Sequence, residues 1–283
     1  MDEGVGFMMA VHQHGHEAMK TTFTLNLECD SGDHAKTLAS ACFQRIDEIE
    51  NKLSRYIPGS DIWQLNHMES GSSLFVSDEC HQCLLLSMEA YQLTYGYFDV
   101  TLGKQIEHRK TSAEGSMPVL GGQLQIVPDR PVVQCLEAGR EIDLGGIGKG
   151  YALDCLLQLL KDEGSIKAGF LSAGSSTHLA FGEKQWEVAL VGDETRRELG
   201  LRNEALSASG TAIQGAHIIS PFSNQAAALN KRVWVVDPSA AMADARSTAA
   251  VLMDVESLRE QSSAEKPVYR ETVEAGNIEE LHR

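Results

Sequence analysis

Hydrophobic and polar residues alternate near the start of the chain and again at several later points. In the segment TFTLNLE (residues 22–28), Phe23, Leu25 and Leu27 fall on one face, which predicts a half-buried β-strand. The same criterion predicts short strands at residues 169–171, 178–181, 186–191, 217–219 and 233–236. The chain is therefore expected to contain a sheet built from short strands.

Helical spacing takes over between these strands. Five apolar residues recur every three or four positions after the turn at residues 31–33, and they predict a helix that ends before Pro58: Leu38, Cys42, Ile46, Ile49 and Leu53. A second helix is predicted from Ser77, as N-cap, to Tyr95, and Gly96 ends it. Its predicted buried stripe is Leu84, Met88, Tyr91 and Tyr95.

The segment REIDLGGIGKGYALDCLLQLLKDEG (residues 140–164) predicts a strand, a glycine-rich turn and a helix. Gly164 is the expected end of that helix, and its expected core residues are Leu153, Leu156, Leu157 and Leu160. A last helix is predicted to begin near Ala243 and to carry DARSTAA.

Strands and helices are interspersed without a strict βαβ rhythm, which favours an α+β or mixed α/β architecture. We expect a flexible segment at residues 1–18, followed by one domain at residues 19–283. Residues 111–122 (TSAEGSMPVLGG) have the composition of a surface loop.

The net charge of the chain limits the classes of molecule that it is expected to bind. The 283 residues include 24 Lys and Arg against 40 Asp and Glu, a net charge of -16, which argues against nucleic acid and anionic membranes as partners. No apolar run approaches the length of a membrane span, and the first residues lack the basic region of a signal peptide. We therefore expect no integral membrane segment and a cytoplasmic location, or a periplasmic one if an export signal has been removed.

Two segments could bind a phosphate or a metal ion. The turn at residues 145–150 (GGIGKG) matches neither the Rossmann nor the Walker A pattern, yet its backbone N–H groups could approach a phosphate or a metal. Asp244 and Thr248 lie four residues apart on the last helix, and together they offer hard oxygen ligands for Mg²⁺. Both patterns also occur without a ligand, as a tight turn with a solvated Lys149 and as an acidic residue near a helix start.

His217, in the segment GAHIISP, could act as a general base near neutral pH. A histidine on an apolar strand can equally be a core residue with its hydrogen bonds satisfied. The chain has no GxSxG segment, so a serine-hydrolase triad has no support.

Several segments, in order from about Met19 to Thr248, together resemble the ApbE family of FAD:protein FMN transferases. MKTTFTL resembles the family's first strand, with Lys20 at a position where the family has Gly. The others are EIENKLSRYIPGSDIWQLN, GYFDVTLG, IDLGGIGKGYALD, ALSASG, HIISP and ADARSTAA.

The resemblance implies an ApbE-like (T-fold-like) domain of two packed sheets with flanking helices. It implies Mg²⁺-dependent transfer of FMN from FAD to a Thr or Ser hydroxyl of an acceptor flavoprotein, with release of AMP. The FAD site would include Met19, Tyr56, Tyr97, Phe98, Asp99, Asp143, Lys149 and Ile219. The metal site would include Gly146, Asp244, Ser247 and Thr248, and His217 would be the catalytic residue.

The chain also departs from the family near the side expected to meet the acceptor. Ser220 stands where the family has Asp, and the residues that follow Pro221 differ as well. Two alternatives therefore remain open: a hydrolase that splits FAD into FMN and AMP, and a noncatalytic FAD-binding protein.

Overall fold

A computed structural model describes residues 9–111, 115–210, 218–222, 229–272 and 276–282. Within them the strands are β1 (Ala10–Ala18), β2 (Thr21–Cys29), β3 (Ser73–Phe75), β4 (Gln123–Val127), β5 (Val132–Glu137), β6 (Ala168–Ala173), β7 (Thr177–Gly182), β8 (Trp186–Val191), β9 (Arg196–Leu201), β10 (Glu204–Gly210), β11 (Arg232–Asp237), β12 (Val268–Glu271) and β13 (Ile278–Leu281). The helices are α1 (Gly32–Leu53), α2 (Asp61–Leu65), α3 (Asp78–Leu93), α4 (Gly103–Lys110), α5 (Gly148–Glu163), α6 (Ala240–Ala250) and α7 (Val255–Gln261).

An eight-stranded antiparallel sheet runs through the middle of the fold, in the order β1-β2-β6-β7-β10-β11-β12-β13. Strands β3, β5 and β4 form a small second sheet, and β8 pairs with β9 in a separate hairpin. The antiparallel pairings bring the last residues of β1, β6 and β10 to the same edge of this sheet.

The large sheet is covered on both faces. One face packs its apolar side chains, such as Phe23 and Leu171, against the buried sides of the longer helices. The other face packs residues such as Trp234 against Leu190 and Leu201 of the β8–β9 hairpin. This arrangement confirms the predicted α+β class. Among the described residues, no helix is both long and apolar enough to cross a membrane.

The main predicted elements are confirmed. α1 buries all five residues of its predicted stripe, and α3 begins after Ser77, whose hydroxyl accepts from Cys80 N. α5 ends at Gly164 in the left-handed conformation, as predicted. Strands β2, β6, β7, β8 and β11 lie where the hydrophobic pattern predicted strands.

Some predictions are wrong. Residues 10–18 form β1, which pairs with β2 along its whole length, so this part of the predicted flexible segment is ordered. α3 ends at Leu93, before the predicted end at Tyr95, and the predicted buried residues Met88, Tyr91 and Tyr95 are exposed. The buried face of α3 instead carries smaller residues that fit close to the neighbouring helices: Cys80, His81, Cys83, Leu84, Ser87 and Ala90.

Three boundaries also differ. The last predicted helix, α6, begins at Ala240, capped by Ser239, and a further helix, α7, follows it. The strand expected before the glycine-rich turn is reduced to isolated bridges, among them one between Leu102 and Glu141. Residues 218–219 form no strand, and His217 lies outside the described residues.

Candidate functional site

A cavity of about 560 Å³ lies where the β1–β2 turn, the end of α1, the glycine-rich turn before α5 and the side of α6 meet. This volume is typical of sites for small molecules. The cavity wall contains every residue that the sequence predicted for FAD binding: Met19, Tyr56, Tyr97, Phe98, Asp99, Asp143, Lys149 and Ile219. It also contains Gly146, Asp244 and Thr248 of the predicted metal site.

The glycine-rich turn lies directly against α6. Asp143 Oδ1 accepts from Gly145 N at 2.8 Å, and Gly148 N donates to Leu144 O at 2.8 Å, which together fix the turn. A Cβ placed on Gly146 would lie 3.1 Å from Thr248 Oγ1, which is a tight contact. The backbone at Gly146 therefore packs directly against the side chain of Thr248 on α6. The two segments expected to bind a metal do converge.

Gly150 brings α5 against the start of α6. A Cβ on Gly150 would overlap the carbonyl of Ala240 and lie 2.8 Å from Ala241 Cα. Gly150 N is also 3.3 Å from Asp244 Oδ2, a long hydrogen bond. A glycine is required here because no side chain fits between the two backbones.

Asp154, also on α5, caps the N-terminus of α6. Its carboxylate accepts from Ala240 N at 2.8 Å, from Ala241 N at 2.9 Å and from Ser239 Oγ at 2.7 Å. A carboxylate on the free N–H groups of a first turn is stabilised by those groups and by the helix dipole. Asp154 therefore fixes the helix on which Asp244 and Thr248 are carried.

Asp244 is 3% exposed, and its carboxylate makes only long contacts. Thr177 Oγ1 and Ser207 Oγ lie 3.5 Å and 3.4 Å from Oδ1, and Lys149 Nζ lies 3.8 Å from Oδ2. A buried carboxylate normally requires strong partners. Asp244 thus retains acceptor capacity for another cation.

Ser247 lies behind the cavity wall and is fully buried. Its hydroxyl is 2.9 Å from Ser209 Oγ, which lines the cavity, and 3.2 Å from Ser207 Oγ. These contacts link a cavity-lining hydroxyl to the surroundings of Asp244. The hydroxyl of Ser247 therefore belongs to a row of hydrogen-bonded serine hydroxyls. It does not line the cavity, where the predicted metal ligand would have to lie.

The donor set fits a hard divalent cation. Asp244 contributes a carboxylate with unused acceptor capacity, Thr248 a hydroxyl and the glycine-rich turn its carbonyl oxygens, all of them ligands suited to Mg²⁺. No group of three or more His, Cys, Asp or Glu side chains with metal-binding geometry occurs in the described part of the chain. An ion here would therefore depend on hydroxyl and carbonyl oxygens beside the one carboxylate.

A group of cations surrounds Tyr56, and the carboxylate of Asp143 links this group to the glycine-rich turn. Arg55 binds Glu141 at 2.6 Å and Asp143 at 3.3 Å, and Lys110 Nζ lies 3.4 Å from the same Asp143 carboxylate. Lys20 Nζ is 4.1 Å from the centroid of the Tyr56 ring. Burial raises the pKa of the Tyr56 phenol above its usual value, although the nearby Lys110 acts against it. The phenol is therefore neutral at physiological pH.

Sequence patterns missed part of this site. Arg55, Lys110 and Asp154 carry no periodic signal, and only their contacts across the fold reveal them. Asp154 does stand in the segment IDLGGIGKGYALD, so the motif contained it without indicating its capping contact. Ser220 follows the cavity-lining Ile219 and is buried, and its hydroxyl accepts from Phe222 N at 3.3 Å.

Comparison with known proteins agrees with this geometry. The family model described as the ApbE family matches residues 19–269. The chain therefore belongs to the ApbE family.

Individual relatives are distant. An FAD:protein FMN transferase of Klebsiella pneumoniae is 24% identical over 56% of this chain, and the aligned region spans only 52% of that relative. The fold is similar to that of the flavin transferase ApbE from Vibrio cholerae, with a TM-score of 0.81 and 19% identity over 96% of this chain and 97% of that one. It is also similar to the apo form of the Pseudomonas stutzeri flavinyl transferase ApbE, with a TM-score of 0.82 and 22% identity over 99% and 96% of the two chains.

Proposed function

We propose that this chain is a Mg²⁺-dependent FAD:protein FMN transferase that transfers FMN to a Thr or Ser hydroxyl of an acceptor flavoprotein and releases AMP. Membership of the ApbE family and the names of its relatives support this activity. The observation that carries the proposal is the cavity in which Gly146, Asp244 and Thr248 meet the residues predicted to bind FAD.

The proposed reaction exchanges the phosphoanhydride bond of FAD for a phosphate ester with the acceptor hydroxyl. The acceptor hydroxyl oxygen forms a bond to the phosphorus of the FMN half of FAD, and the bond from that phosphorus to the bridging oxygen breaks. AMP leaves with the bridging oxygen. The hydroxyl proton passes to a base, and we assign this role to His217 on the strength of its place in HIISP.

The chain's own residues would prepare this step. Asp244, Thr248 and the Gly146 carbonyl would hold Mg²⁺, with Ser247 supporting them through its hydrogen bonds. When bound, the ion would neutralise charge on the diphosphate and on the departing AMP. Lys149, which also lies 3.4 Å from Gly145 O, would contribute a second positive charge beside the turn.

The test is incubation of the protein with FAD, Mg²⁺ and an acceptor domain, followed by denaturing electrophoresis and detection of flavin fluorescence in the acceptor band. We expect a fluorescent acceptor band and one AMP for each flavin attached. Asp244→Ala should reduce transfer on the order of a hundredfold or more because the ion loses its one carboxylate. Asp30→Ala, at an exposed position, is the matched control and should transfer normally.

Each alternative gives a different result in the same assay. AMP release with a dark acceptor band would identify a hydrolase, in which water replaces the acceptor hydroxyl. Retained FAD with no AMP at any Mg²⁺ concentration would identify a noncatalytic binding protein. Full transfer by Asp244→Ala would remove Asp244 from the proposed site.

A further inference from the structure

The turn between β1 and β2 holds two non-glycine residues in the left-handed region. Met19 has φ 50° and Lys20 has φ 58°, the combination that a two-residue type I′ hairpin turn requires. Glycine and asparagine favour this conformation, whereas a lysine in it is strained. Strain of this kind persists where another role compensates for it, and functional sites are where it concentrates.

The side chain of Lys20 extends over the cavity. Its ammonium lies 4.1 Å from the centroid of the Tyr56 ring, and both residues belong to the cavity wall. This cation–π contact holds the ammonium group at the rim of the cavity, and the ring shields one side of the group from solvent.

Lys20 differs from the other cations of this cavity in its partners. Arg55, Lys110 and Lys149 each lie within 4 Å of a carboxylate. Lys20 forms no ion pair with any carboxylate among the described residues, although the chain as a whole carries a net charge of -16. Its charge is therefore available to an anion from outside the chain.

We infer that Lys20 is a substrate-binding residue whose ammonium group binds a phosphate of the nucleotide at the rim of the cavity. The inference rests on the proposed function, which supplies a substrate with a diphosphate. Phosphate oxygens are strong acceptors, and an ammonium group binds them as a point charge without strict geometry. The strained turn places the ammonium over Tyr56, where it meets the nucleotide as it enters.

The substitution Lys20→Gly distinguishes a role of Lys20 in nucleotide binding from a role in the conformation of the turn. Glycine adopts φ 58° without strain, so the turn is preserved and the variant should melt no lower than the wild type, while the ammonium is lost. Lys184→Gly is the matched control because Lys184 also lies over an aromatic ring, 4.5 Å from the centroid of Trp186, but outside the cavity wall.

FAD binding to the full chain is measured by isothermal titration calorimetry with Mg²⁺ and without acceptor, at 50 mM and 500 mM NaCl. At low salt we expect the Kd of Lys20→Gly to rise on the order of tenfold, as for the loss of one charged hydrogen bond. The difference should shrink at high salt because the lost interaction is electrostatic. Lys20→Arg should restore most of the affinity, and Lys184→Gly should bind as the wild type does.

An affinity of Lys20→Gly within twofold of the wild type at low salt would overturn the inference, as would an equal loss at both salt concentrations. Neither result would affect the proposed function, because the transfer assay that tests it involves no substitution of Lys20. A wild-type protein that binds no FAD would overturn the proposed function and this inference together.

Discussion

Two parts of the cavity, called here the metal end and the nucleotide end, are built in different ways. The metal end contains Gly146, Asp244 and Thr248, and behind it Gly150 and Asp154 hold α5 against α6. The nucleotide end, formed by Met19, Lys20, Tyr56 and Lys110, lies on turns and on the exposed side of α4. Tyr56 is 46% exposed, whereas Asp244 is 3% exposed.

This difference separates the stability of the protein from its binding of substrate. A change at the metal end disturbs buried backbone contacts and caps, so it should reduce stability and function together. A change at the nucleotide end removes contacts that water can replace, so it should alter binding while the fold is retained. Substitutions at both ends test this distinction.

The largest effect is expected for Gly150→Ala. The added Cβ overlaps the Ala240 carbonyl, and because that atom is helix backbone it cannot move without separating α5 from α6. We expect a loss of about 3 kcal/mol or more in the free energy of unfolding, measured by urea denaturation.

Gly148→Ala is the control for that substitution. A Cβ at Gly148 would meet only Leu144 Cβ, at 3.9 Å, which is ordinary van der Waals contact. We expect the free energy of unfolding of this variant to stay unchanged or to rise by up to about 0.5 kcal/mol, because alanine has the better helix propensity. Equal unfolding midpoints for the two variants would contradict the close packing of α5 against α6.

A smaller effect is expected for Asp154→Ala. The substitution leaves Ala240 N and Ala241 N without their acceptor at the buried start of α6. We expect a loss of about 2 kcal/mol in the free energy of unfolding, the upper range for a helix cap. Asp162→Ala, exposed on the same helix and bonded only to Gln158, should cost less than about 0.5 kcal/mol. Similar losses for both variants would mean that the cap contributes nothing specific.

Sequence motifs indicate residues of both parts of the cavity, but they do not reveal contacts between distant segments of the chain. The residues 145–150 and the pair Asp244 and Thr248 each lie within one short segment, so a motif can reveal them. The cations around Tyr56 come from three separate places along the chain and meet only in the fold. Sequence spacing carries no information on such contacts.

The errors in the predicted fold have similar causes. β1 has the sequence AVHQHGHEA, which lacks an apolar face, yet it forms an edge strand because β2 supplies all its partners. Apolar residues occur on two faces of α3, and the sequence pattern predicted that the face with the large side chains is the buried one. Close packing against α1 and α6 instead selects the small ones, such as Cys83 and Ala90.

The smallest effect is expected for Tyr56→Phe at the nucleotide end. The phenol donates to Glu107 Oε2 at 3.0 Å, but this hydrogen bond is open to solvent and water can replace it. We expect the free energy of unfolding to change by less than about 0.5 kcal/mol. The FAD affinity should stay within twofold of the wild type because the ring that lines the cavity is retained.

Tyr56→Ala removes the ring and completes the comparison. We expect it to unfold at nearly the wild-type urea concentration but to bind FAD on the order of tenfold more weakly, since it loses the aromatic surface and the platform for Lys20. Because burial raises the pKa of Tyr56, the phenol stays neutral from pH 7 to 9, so the affinities of the wild type and Tyr56→Phe should follow the same pH dependence there. A divergence between them in that range would show that the hydroxyl, and not the ring, contributes to binding at this end of the cavity.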